Sequence, residues 1–198
     1  MLDHVLYINL AKRADRRRTI EAECERMGLR GERVAGLDTA PYGYIGCAYA
    51  HCVALRTAKE RGWPSVLILE DDFQFVVDKE QLAGLFSELK ARGHAYDVLL
   101  LGTNLRHTDR VDDLVGRTEH SFTAAAYVVT AAYYDKLLAR FEEALAQLAT
   151  TRNPQTYAID VMWRRLQGRD RWLHFHERVG VQRPGFSDIE LQEVSYGV

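Results

Sequence analysis

The run SVLILEDDF carries four apolar residues, Val66 to Leu69, straight into three acids, Glu70, Asp71 and Asp72, before Phe73 closes it. Adjacent carboxylates repel one another, and partial burial adds to the cost of ionising them. A divalent cation removes that cost, and Mg²⁺ or Mn²⁺ is typically held by one or two carboxylates together with substrate phosphates. The triplet is therefore a candidate metal and diphosphate site. The plainer alternative is a solvated strand end paired with nearby arginines. In an extended chain Glu70 and Asp72 point to one side and Asp71 to the other.

A second group lies near the N-terminus. Asn9 ends an apolar stretch, and Arg13 and Arg16 to Arg18 follow it at the start of a helical pattern. Positive charge is disfavoured in a first helical turn by the macrodipole. A bound phosphate would offset that mismatch, since a helix start also offers free N–H groups. Arg13 and Arg16 either touch such a phosphate or are solvated arginines, one of them paired with Asp15. In the late segment HFHE, His174 and His176 fall on one side of a strand, and mixed His/carboxylate ligation suits Mn²⁺ better than Mg²⁺.

The elements that must position these groups follow from pattern. Strands are expected over His4–Leu10, Glu32–Ala35, Ser65–Leu69, Tyr96–Leu101, Phe122–Thr130 and Arg171–His176. Asp15 is placed to cap a helix with Ile20, Cys24 and Met27 on one face and Gly28 as its stop. Gly46–Arg61 has helical period, with Cys47, His51, Leu55 and Ala58 on one side, and Gly62 and Pro64 end it. Asp78 and Gln81 read as a capping box for a helix bearing Leu82, Leu85, Phe86 and Leu89. Ala132–Leu148 reads as a long amphipathic helix and a short one follows Ile159. Residues Gly102–His120 read as a polar loop and the tail as irregular. Alternating strands and helices indicate one α/β domain over residues 1–198 with a mainly parallel sheet. Such sheets bind ligands at the carboxyl ends of their strands, where the acidic triplet sits.

Composition narrows the function classes. The chain has 198 residues, 47% hydrophobic and 27% charged, with a net charge of −2, so no overall basic field is available for nucleic acid. No apolar run approaches the roughly 18 residues of a membrane span. The start MLDHVLYINL reads as a strand and not a signal peptide, and three cysteines without a CxxC pair point to reduced thiols and a cytoplasmic protein. The basic runs Arg16–Arg18 and Arg164–Arg171 are either a peripheral contact with anionic lipid or a solvated charged face.

Five blocks, in order, resemble glycosyltransferase family 25, which includes bacterial lipooligosaccharide and collagen galactosyltransferases. They are VLYINLAKRADRRRTIEAE, GCAYAHCVALRTAKERGWPSVLILEDDF, TAAAYVVTAAYYDKLL, AID and VQRPGFSDIE, spanning Val5 to Ile189. Ala50 stands where the family usually has Ser before the histidine, and the chain is shorter than many members. The resemblance implies a GT-A type fold and an inverting transfer of a hexose, galactose above all, from a UDP-sugar to a saccharide or glycoconjugate hydroxyl.

On that resemblance Glu70, Asp71 and Asp72 stand in for the DxD element, with Glu70 and Asp72 as metal ligands. His176, or Asp188 in GFSDIE, would supply a late ligand. Asn9, Leu10, Arg13, Arg16, Asp38, His51, Glu70 and Asp71 would line the nucleotide-sugar site. For Asp38 a turn role stands beside this reading, and for His51 a place in the core. Tyr127 is expected to pack in the core, and Cys47 and Cys52 to be small core residues. Asp160 is the expected catalytic base, accepting the acceptor hydroxyl's proton as that oxygen attacks C1; a helix cap is its other reading. The rival functions are a degenerate module that binds a nucleotide sugar or carbohydrate without turnover and, behind it, a metal-dependent phosphohydrolase.

Overall fold

A computed structural model describes residues 2–195. Its central sheet has six strands in the order β2-β1-β3-β6-β5-β7: β1 Val5–Leu10, β2 Gly31–Gly36, β3 Ser65–Glu70, β5 Val98–Arg110, β6 Val115–Thr130 and β7 Trp172–Phe175. β1 runs parallel to β2 and β3, and β5 parallel to β7, while β6 alone runs against its neighbours. The sheet is thus mostly parallel. The four apolar residues of β3 are all buried, as a strand covered on both faces requires.

Helices cover both faces. Helix α2, Gly43–Glu60, and α4, Tyr134–Thr151, pack on one side around Leu55, Phe141, Trp163 and Trp172. Helices α1, Ala14–Arg26, and α3, Lys79–Ala91, cover the other with Ile20, Leu82 and Phe86, against Phe73 and Phe75 of the short strand β4, Phe73–Phe75. The Asp78–Gln81 capping box forms in both directions and starts α3. Gly28 and Gly62, both at positive φ, turn the chain out of α1 and α2.

Several expectations change. Residues 102–120 are not a loop: β5 and β6 continue as a bulged antiparallel hairpin whose tip pairs Arg110 with Gly116. The stretch looks polar because its inward positions include the buried hydroxyl of Thr118, while Asp112 Oδ1 accepts from the amides of Leu114 and Val115 at the turn. Asp15 does not cap α1; Arg13 holds that position, and Asp15 lies in the first turn and pairs with Arg13. Between Gly180 and Val194 the tail forms short paired strands and is not irregular. β8, Gly180–Gln182, pairs with β4, and β9, Gly185–Ser187, forms a hairpin with β10, Gln192–Val194. Three short helices, α5 Pro154–Tyr157, α6 Ile159–Met162 and α7 Arg164–Gln167, connect α4 to β7.

Among the described residues no helix is long and apolar enough to cross a membrane. Arg16, Arg17 and Arg171 of the basic runs are paired with Asp71 and Asp72, Glu21 and Asp97. All three cysteines are free.

Candidate active site

Parallel pairing of β1 with β3 sets Ile8 opposite Glu70, so Asn9 arrives beside the acidic triplet. Asn9 Nδ2 donates to Asp71 Oδ2 at 2.7 Å, while Arg33 Nε donates to Asn9 Oδ1 at 3.1 Å and fixes which way the amide faces. β3 ends at Glu70, and the chain turns at Asp71–Asp72 into β4. The alternation expected of an extended triplet is therefore broken, and Asp71 and Asp72 meet the same guanidinium: Arg16 Nη1 lies 3.1 Å from Asp71 Oδ1 and 2.8 Å from Asp72 Oδ2.

Burial pushes Asp71 up despite Asn9 and Arg16, and burial with the Glu70 charge pushes Asp72 up to about 7. β8 brings Gln182 to the same place, its Nε2 donating to Asp72 Oδ2 at 3.2 Å and to Glu70 Oε2 at 3.4 Å. Asp72 Oδ1 and Gln182 Oε1 are buried and have no hydrogen-bond partner among the described residues.

A cavity opens over these groups, lined also by Leu10, Arg13, Asp38 and Asp188. Lys12 bridges Asp38 at 2.9 Å and Asp188 at 3.1 Å, and Arg13 Nη1 donates to Asp188 Oδ2 at 2.6 Å. Asp38 also serves its turn, accepting from the Ala40 amide at 3.2 Å. Asp188 is engaged by these cations and not by the acids.

A second cavity adjoins the first and shares Cys47, Glu70, Gln182 and Ile189 with it. Asp160 lines this second space from the first turn of α6, whose N-cap is Ala158, so Asp160 is not the cap. Its Oδ2 accepts from the Thr123 amide at 3.0 Å. Thr123 has φ of +71°, costly for a β-branched residue at about 1–3 kcal/mol. The bend it imposes leaves the amide of this strand residue to the carboxylate. Burial raises the Asp160 carboxyl above its ordinary value, with the Thr123 amide opposing and the Glu70 charge adding.

His51 is fully buried yet reaches the site, its Nε2 lying 3.3 Å from Glu70 Oε1 and its Nδ1 2.9 Å from the Tyr127 hydroxyl. Cys47 is at the shared wall, 3.8 Å from Glu70 Oε1, and so is more than a core filler. Its thiol is pushed well up by burial and by Glu70.

His176 is not brought to the acids. Its Nε2 bonds the Asp112 carbonyl at 3.1 Å, and it lines a separate cleft with His174, Thr103 and Asn104. The β5–β6 hairpin, unforeseen from sequence, folds over the end of β7 and takes that histidine. Gln182 and Thr123 carry no site signal in the sequence, where Cys47 reads as a small core residue. The spacing of Cys47 and His51 by one helical turn was the available signal for Cys47; Gln182 and Thr123 depend on pairings that local pattern does not encode.

No family model matches the chain. Procollagen galactosyltransferase 1 of Danio rerio is a distant relative, 27% identical over 170 residues that cover 69% of this chain and 28% of that protein. The chain thus spans little more than a quarter of that relative's length. Among solved structures it resembles a glycosyltransferase involved in the glycosylation of the major capsid of PBCV-1, with a TM-score of 0.55 at 11% identity over 94% of this chain and 95% of that one. The glycosyltransferase GlyE of Streptococcus pneumoniae TIGR4 gives a TM-score of 0.50 at 8% identity over 88% and 45%. At such identities the likeness is one of fold, and that fold is GT-A-like.

Proposed function

We propose that this chain is a glycosyltransferase of the family 25 type, moving a hexose, galactose in the first instance, from a UDP-sugar to a hydroxyl of a saccharide or glycoconjugate. The observation that carries the reading is the shared wall. One cavity holds Arg13, Arg16 and the acids, the adjoining one holds Asp160, and Glu70 and Gln182 belong to both. A diphosphate in the first and an acceptor in the second would meet there.

The residues present fit a divalent cation. Asp72 Oδ1 and Gln182 Oε1 are orphaned oxygens on side chains hydrogen-bonded to each other, and Glu70 is beside them. An oxygen set suits Mg²⁺ and Mn²⁺ alike, so the preference for Mn²⁺, which leaned on His176, lapses. When bound, the cation would stabilise charge on the departing UDP. Arg13 and Arg16 would face the diphosphate, and Asn9, held by Arg33, would keep Asp71 in place. Asp160, fixed by the Thr123 amide, would take the acceptor hydroxyl's proton as that oxygen attacks C1 from the side opposite the leaving group. Its raised affinity for a proton suits a base in that position.

The test is a thermal-shift panel of UDP, GDP, UDP-galactose, UDP-glucose and UDP-N-acetylglucosamine, with divalent metal and with chelator, on wild type and Asp72→Ala. Binding to the native state alone raises the melting temperature. A UDP shift that needs metal and vanishes in Asp72→Ala is the expected result; no shift with any nucleotide overturns the reading. A second reading, a binding module without turnover, draws on Arg16, whose one guanidinium already pairs with both Asp71 and Asp72. Metal-independent UDP binding with no transfer would favour it.

A further inference from the structure

Cys47 and His51 stand one turn apart on the same face of α2, the i, i+4 spacing that lets two side chains share a ligand. Glu70, at the end of β3, meets both. Its Oε1 is 3.3 Å from His51 Nε2 and 3.8 Å from Cys47 Sγ, and the three atoms all lie within 4.8 Å of one another. Zinc bonds of about 2.0–2.3 Å in a tetrahedron hold neighbouring ligands roughly 3.4–3.6 Å apart. Two of the three separations are already close to that range, and the third is no more than 4.8 Å.

We propose that Cys47, His51 and Glu70 form a three-ligand site for a thiophilic divalent cation, zinc, which shares Glu70 with the oxygen set at Asp72 and draws its other two ligands from α2. Sulfur, imidazole and carboxylate together are a zinc donor set and a poor one for Mg²⁺. The surrounding shell is built for it. The Tyr127 hydroxyl lies 2.9 Å from His51 Nδ1 and can accept its proton, which leaves the Nε2 lone pair for the metal. Gln182 Nε2 donates to the other Glu70 oxygen at 3.4 Å, so Oε1 is the oxygen turned toward Cys47 and His51. One thiolate and one carboxylate balance the dication. Binding releases one proton, from the Cys47 thiol, and takes His51 as the tautomer protonated at Nδ1, whose N–H donates to the Tyr127 hydroxyl. Cys47 and Glu70 line both cavities, so the fourth position opens to water.

The site can be tested with metal alone, apart from any sugar chemistry. Metal-free protein is titrated with Co²⁺, and the ultraviolet thiolate-to-cobalt band is recorded for wild type, Cys47→Ser and His51→Gln. The expected result is a band that saturates at one equivalent in wild type, is lost in Cys47→Ser, is weakened several-fold in His51→Gln, and is displaced by Zn²⁺. In parallel, maleimide labelling of Cys47 in the wild-type protein, read by mass spectrometry, is expected to fall several-fold with Zn²⁺ and not with Mg²⁺. This second measurement holds even if a variant fails to fold. A wild-type cobalt spectrum without a thiolate band, or equal labelling of Cys47 with and without Zn²⁺, overturns the proposal. Failure of the UDP panel would leave these results untouched, so the two readings fall separately.

Discussion

Arg16 Nη1 lies 2.8 Å from Asp72 Oδ2 and 3.1 Å from Asp71 Oδ1, so one guanidinium serves both carboxylates where β3 turns into β4. The side chains are only 17% and 11% exposed, and removing one partner of a buried pair is costly because it strands the other charge. Arg16→Gln is expected to lose about 3 kcal/mol of stability in chelator, at the low end of the range for such pairs. If a divalent cation binds the same acids, it replaces the missing charge. Urea denaturation with and without Mg²⁺ should then show a larger metal-dependent gain in Arg16→Gln than in wild type. Equal gains in the two proteins would mean that the cation does not share these carboxylates.

Asp160→Asn is close to isosteric and keeps an oxygen that can accept from the Thr123 amide. It removes the ability to take a proton. General base catalysis typically contributes about 10²–10⁴-fold, so sugar transfer should fall by that order while UDP-dependent stabilisation stays at the wild-type level. Loss of both would assign Asp160 to the donor site, and retention of transfer would remove it from the chemistry.

The architecture was legible wherever a local pattern decided it. The period of Cys47, His51, Leu55 and Ala58 gave α2, the Asp78–Gln81 pair gave the start of α3, and the run Val66–Leu69 gave a doubly covered strand. The acids were legible as a strand-end site because parallel sheets present their carboxyl ends to ligands, while Asn9 joined them only through the family resemblance. What escaped depended on pairing across the chain. Residues 102–120 carry too many polar side chains to look like strands, yet their backbone is satisfied by the opposing half of the hairpin. His176 was a reasonable ligand by residue type, but the hairpin claims it, and Gln182 reaches the acids only because β8 pairs with β4. Thr123 carries no local sign of its reversed backbone.

Gly43, in the first turn of α2, shows how the tail is seated. A Cβ there would meet the Asp188 carbonyl and the Ile189 Cα, each at 2.7 Å, and both are backbone atoms that cannot swing aside. Gly43→Ala is therefore expected to lift the β9–β10 segment and break the pairs of Asp188 with Lys12 and Arg13. Limited proteolysis should then cut between residues 183 and 194 faster than in wild type, with the UDP shift reduced. Gly84→Ala is the control. Nothing lies within 4 Å of its Cβ position, and it sits inside α3, so it should stabilise the protein by roughly 0.5–1 kcal/mol and leave the tail protected.

His174 gives the fold an acid limit that does not depend on the site. It is 4% exposed, its Nδ1 is 3.0 Å from the Thr118 hydroxyl, and burial, with the neighbouring His176 charge, lowers its pKa to about 4. In the unfolded chain it titrates near 6.5. Between those values the unfolded state binds the proton and the native state does not, so stability falls as the pH drops. The loss begins near pH 6.5 and levels off near pH 4. A difference of about 2.5 pH units at 1.36 kcal/mol each makes the full loss about 3 kcal/mol. Gln at this position can still bond Thr118 and does not titrate. Stability measured by urea denaturation from pH 7 to pH 4 should fall more shallowly in His174→Gln than in wild type by about that amount. Parallel curves would mean that His174 is protonated in the native protein, with its charge met by a partner in the hairpin cleft.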